Sequence, residues 1–167
     1  MISMNLTKTG IGSLATVVAL GAMVIVSLGQ TKKNPELGDI EKAVLGRLTE
    51  IQSAAQSLDP DKVFSFVLEN NKGALVQNGR FFLTRGEALE STRRGFQGLQ
   101  KVAYQFDQQH VTVISPMVAL ATGEGSSSAT TADGRTFTTR FAQSVLLVLT
   151  NGEWKVLHAH RSSAPSQ

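Results

Sequence analysis

The C-terminal stretch Gly152-Glu153-Trp154-Lys155-Val156-Leu157-His158-Ala159-His160-Arg161-Ser162-Ser163-Ala164-Pro165 decides how the rest of the chain is read. It opens on Asn151-Gly152, a dipeptide suited to the tight two-residue turn of a β-hairpin, where both turn positions need positive φ. The run after it is rich in strand-forming residues, so Trp154 to Ser163 reads as a closing strand. Side chains alternate across a strand with period two. Regular alternation puts Trp154, Val156, His158 and His160 on one face and Lys155, which prefers water, on the other. The two histidines are therefore expected to point inward, and Arg161 outward unless a bulge before it reverses the parity.

Upstream, the long run Arg135 to Thr150 reads as the strand that pairs with the closing one, across the Asn151-Gly152 turn. Within it Val145, Leu146, Leu147, Val148 and Leu149 are consecutive apolar residues. An antiparallel sheet with one wet face shows alternation instead. Either this strand lies centrally under local cover, or the outer sheet face meets a second subunit. Further back, Leu99 to Ile114 and Met117 to Thr130 read as two more strands. Asp107 is expected at a bulge or bend in the first, and Gly123 and Gly125 permit bending in the second.

The N-terminal half is helical in period. Ile40, Val44, Leu48, Ile51, Ala55 and Leu58 recur at three- and four-residue steps, one apolar stripe on a helix that starts at Asn34-Pro35-Glu36. Asp59-Pro60-Asp61 ends it and begins a short second helix. Asn78-Gly79 turns a small hairpin, and Thr84-Arg85-Gly86-Glu87 is a capping box opening a third helix. The order α-α-β-β-α-β-β-β-β predicts an α+β fold with helices packed inside a strongly curved antiparallel sheet, a cone with a cavity at its wide end.

The closing strand resembles that of NTF2-like (SnoaL-like) proteins, in particular the association (hub) domain of calcium/calmodulin-dependent protein kinase II and its bacterial stand-alone relatives. The shared pattern is Gly-x-Trp followed after a short gap by His-x-His-Arg-Ser, here Gly152, Trp154 and His158 to Ser162. The resemblance implies a cone with a pocket, frequent dimers and sometimes rings, and a pocket position for Arg161. It does not imply kinase activity, because no kinase segment is present. Hub domains carry a further pocket Arg on the strand before the last. Here that stretch, near Val145, is apolar, and Arg140 lies five residues away.

Candidate pocket residues are thus His158, His160, Arg161, Trp154, Tyr104 and Arg140. The histidines are read either as ligand contacts or as hydrogen-bonded structural residues. A metal site needs a third ligand, from His110 or a carboxylate, in no familiar zinc spacing; no metal and no cofactor is expected. Acid–base catalysis in NTF2-like isomerases and dehydratases uses a buried Asp or His with Tyr partners, and only His158 or His160 offers a candidate base. Three functions follow: a small-molecule-binding or assembly module, an isomerase- or dehydratase-type enzyme, or a structural hub.

Composition narrows the setting. There are 167 residues, 41% apolar, and the formal charge is +3 with no adjacent basic run beyond Lys32-Lys33 and Arg93-Arg94. That excludes a nucleic-acid stripe. Cysteine is absent, so disulfides and thiolate chemistry are excluded. Residues 11–29 are uncharged and rich in Val, Ala, Leu and Gly, with Ser27 and Gly29 placed for cleavage before Gln30. They resemble a signal peptide or an N-terminal anchor, with an extracytoplasmic domain over 34–163 and a tail over 164–167.

Overall fold

The structure, a computed structural model, describes residues 36–69 and 72–164. The apolar leader 11–29, its cleavage position, the Asn34-Pro35 helix start and the last residues of the tail lie outside them. The elements run α1 (Leu37–Gln56), α2 (Pro60–Ser65), β1 (Leu75–Gln77), β2 (Arg80–Phe82), α3 (Arg85–Phe96), β3 (Leu99–Ser115), β4 (Val118–Thr131), β5 (Thr136–Thr150) and β6 (Glu153–Ser163). This is the expected order, in an α+β cone.

The apolar stripe of α1 does what its period requires. Ile40, Val44, Leu48 and Ala55 are buried, and Ile51 packs beside them. Leu58 does not extend the stripe. The helix ends at Gln56, and Leu58 sits at φ 55°, in the left-handed region, as the chain turns into α2. The Asp59 side chain caps α2, accepting from the Lys62 amide at 2.8 Å. At α3 the Thr84 hydroxyl accepts from the Glu87 amide at 3.2 Å, and the Glu87 carboxylate accepts from the Thr84 amide at 3.3 Å. Two orphan amides of the first turn are thereby satisfied.

The six strands form one open sheet in the order β2-β1-β6-β5-β4-β3. The meander β3 to β6 is antiparallel throughout, and β1 joins β6 in parallel, with Leu75, Val76 and Gln77 opposite Ala159, His160 and Arg161. The small hairpin thus covers the edge that β6 would otherwise expose. Asn78-Gly79 and Asn151-Gly152 both have positive φ at each turn residue, as their hairpins need.

Curvature comes from bulges. Phe106 pairs with Gly125 and Gln108 with Glu124, so Asp107 is the extra residue in β3. A bulge bends and further twists its strand. The bend brings β3 onto β4 so closely that a Cβ at position 125 would lie 2.1 Å from the Gln105 carbonyl oxygen, which only glycine avoids. On the concave side, Ala119, Ala121, Val145, Leu147, Trp154 and Val156 pack against α1. A smaller cluster of Phe64, Phe82 and Ala88 ties α2 and α3 to the hairpin.

Candidate functional site

The parity of β6 changes partway along. Val156 is opposite Leu147, but the next pair is His158 with Leu146, leaving Leu157 without an opposite residue. Trp154 and Val156 face the core, and beyond the bulge the concave face passes to Ala159, Arg161 and Ser163. The expectation that His158 and His160 point inward is therefore corrected: a bulge at Leu157 reverses them. On the outer face His158 Nδ1 lies 2.7 Å from the Gly73 carbonyl oxygen, to which it donates. His160 is at the rim of the cavity, yet its place opposite Ser144 and Val76 turns its exposed imidazole outward. Arg161 makes the opposite move, into the cone.

Arg161 enters a cavity of about 960 Å³ between the concave sheet face and the helices. Its guanidinium carbon lies 4.0 Å from the centre of the Phe141 ring and 5.1 Å from that of Tyr104. Both distances are within range of a cation–π contact. The rings brace one another: Tyr104 meets Phe141 edge-on at 6.3 Å and 82°, and Phe106 meets it at 5.2 Å and 88°. Arg161 Nη2 donates to Ser127 Oγ at 2.9 Å. Its Nε is buried and has no hydrogen-bond partner.

The registers explain the grouping. Tyr104 is opposite Ser127, which is opposite Thr139, while Phe106 is opposite Gly125 and Gly125 opposite Phe141. Three strands therefore bring two rungs of side chains beneath Arg161. Among the described residues no Asp or Glu lines the cavity and Arg161 takes part in no ion pair. A guanidinium carries five N–H donors and no acceptor. Here aromatic faces and one hydroxyl are its company, which leaves donors and a full positive charge for a ligand.

The other candidates separate. Tyr104 lines the cavity. Trp154 does not: it is buried in the core with Ile40, Val44 and Leu48. Arg140 is corrected to the outer face, where it forms an ion pair with Asp107. The inward residue opposite Arg161 on β5 is Gln143, not an arginine. Glu124 is also outside, accepting from Gln108 Nε2 at 2.9 Å. Among the described residues no three His, Asp or Glu side chains gather as metal ligands. Phe141, Phe106 and Ser127 were not singled out from the sequence. For Phe141 a signal existed: it shares the parity of Val145 and Leu147, the buried residues of its strand.

Comparisons with known proteins agree on the fold. A family model described as a SnoaL-like domain matches residues 44–166. Among solved structures, an NTF2-like superfamily protein from Salmonella enterica serovar Typhimurium superposes with a TM-score of 0.70 at 14% identity, covering 79% of this chain and 96% of that one. A protein described as a dehydratase of the NTF2-like family from Streptomyces avermitilis gives 0.66 at 18%, covering 74% and 95%. A protein described as a calcium/calmodulin-dependent protein kinase II association domain from Xanthomonas campestris gives 0.65 at 15%, covering 74% and 87%. No curated protein matches.

Proposed function

Because the chain belongs to the SnoaL-like family and has the NTF2-like cone, we propose that it is a small-molecule-binding module whose ligand is an organic anion with an apolar body, seated on Arg161. One observation carries this reading. A guanidinium stands inside a largely apolar cavity with a buried, unpartnered Nε–H and no carboxylate on the lining. Leaving a buried N–H of a half-buried cation without an acceptor is costly, which supports an arrangement kept for binding rather than for stability. A ligand carboxylate would accept charge-assisted hydrogen bonds from Arg161, while Tyr104 and Phe106, which line the cavity, contact its apolar part.

The binding reading is favoured over the catalytic one by the placement of the histidines. Dehydratase- or isomerase-type acid–base chemistry needs a base within reach of the bound molecule. His158 is on the far side of the sheet, His160 reaches only the rim of the cavity with its exposed imidazole turned outward, and among the described residues the lining offers no carboxylate in their place. Isothermal titration of the purified protein with benzoate tests the reading. Saturable binding is expected, weakened roughly tenfold or more in Arg161→Met by loss of a charge-assisted contact. Equal affinity in the two proteins would contradict it.

The module is further proposed to act as a homodimer through its outer sheet face. Leu146 and Val148 are on that face, opposite Leu120 and Val118 of β4, with Ile114 and Met117 exposed at one end. Among the described residues every helix packs on the other side. A second copy placed back to back supplies the missing cover. We further propose that it acts outside the cytoplasmic membrane, a reading supported by the uncharged, apolar run over residues 11–29 and its resemblance to a signal peptide or N-terminal anchor. Intact-mass measurement of protein from its host, with a terminus at Gln30, checks that assignment.

A further inference from the structure

The strand registers line up a single polar row across the concave face. Arg80 on β2 is opposite Gln77 on β1, Gln77 is opposite Arg161 on β6, and Arg161 is opposite Gln143 on β5. The row continues through Gly123 on β4 to Gln109 on β3. Arg80, Gln77, Arg161, Gln143 and Gln109 all line the cavity. Arg80 shares the inward parity of buried Phe82, and its guanidinium carbon lies 5.3 Å from the centre of that ring. Like Arg161, it belongs to no ion pair among the described residues. The cavity therefore has two cations, one deep and one at the exposed hairpin, without a balancing acid.

We infer that Arg80 is a specificity-determining residue that receives a second acidic group, so that the ligand class is a dicarboxylate rather than a monocarboxylate. This rests on the reading of Arg161 as the first anion seat. Two strand spacings put the Arg80 and Arg161 backbones about 10 Å apart. An extended aliphatic chain with an acid at each end spans that distance, with the Gln77 amide beneath it to donate or accept. One carboxylate is gripped by Arg161 among the aromatic rings. The other leaves the apolar part and meets Arg80 near solvent, where a long side chain can adjust to it.

The experiment is isothermal titration with aliphatic diacids from adipate to sebacate, each beside the monocarboxylate of equal carbon number, against wild type, Arg80→Gln and Arg161→Gln, with circular dichroism confirming the fold of each. Wild type is expected to bind its best-matched diacid about tenfold tighter than the paired monoacid, the worth of one further charge-assisted contact. Arg80→Gln is expected to remove that advantage by weakening diacid binding about tenfold more than monoacid binding, whereas Arg161→Gln weakens both. Monoacid binding that depends on Arg161, with no diacid advantage in wild type or an advantage that survives Arg80→Gln, overturns the role of Arg80 alone. Acid binding that is absent in wild type, or indifferent to Arg161→Gln, overturns the anion seat and this inference with it.

Discussion

At Arg161 stability and the proposed anion-binding role meet in one side chain. Its guanidinium contacts Phe141 and Tyr104 and bonds Ser127, yet its Nε–H stays unsatisfied. Replacing an unbalanced inward charge by an apolar group of similar length removes a desolvation cost. Arg161→Met is therefore expected to leave stability unchanged or raise it by about 1 kcal/mol while weakening anion binding roughly tenfold or more. Urea unfolding beside benzoate titration reads both. A loss of several kcal/mol would instead assign Arg161 a structural role. Gly125 makes the contrasting case, since a methyl group there meets the Gln105 carbonyl at 2.1 Å. Gly125→Ala is expected to destabilise by about 2 kcal/mol or more through overpacking at the bend, again by urea unfolding.

Individual elements were legible in proportion to how local their signals are. The capping box Thr84–Glu87 is written in four consecutive residues, and it forms as read. Thr84→Ala is expected to cost about 1 kcal/mol and to speed amide hydrogen exchange over the first turn of α3. The facing of β6 was not legible, because alternation along a strand says nothing about its register with the neighbour. Trp154 and Val156 identified the inner face correctly, but the extra residue Leu157 is visible only in the pairing with Leu146 and Leu147. One inserted residue moved His158 and His160 out and Arg161 in. Phe141 escaped notice for a related reason: its contact with Tyr104 and Phe106 depends on two registers at once. Deleting Leu157 restores regular alternation, and the shortened protein is expected to lose benzoate binding in the same titration.

At the scale of the whole molecule, the order of helices and strands and the curved sheet followed from periodicity and turn residues. The parallel junction of β1 with β6 did not, since nothing in either strand names its partner. The run Val145 to Leu149 has two explanations on its two faces. Val145, Leu147 and Leu149 belong to the core with α1, while Leu146 and Val148 look outward. If the outer face is where two copies meet, Leu146→Asp at its centre is expected to convert a dimer to a monomer in light scattering at micromolar concentration. A wild-type protein that is already monomeric there would contradict the dimer without touching the cavity.

The account stands on Arg161 facing inward and receiving an anion. Its Nε–H can be observed directly in a proton–nitrogen correlation spectrum, assigned by its disappearance in Arg161→Lys, during titration with benzoate. The expected result is one arginine Nε–H signal that shifts saturably, with the same midpoint as the calorimetric isotherm. A signal that stays in place while benzoate reaches saturation would contradict the claim.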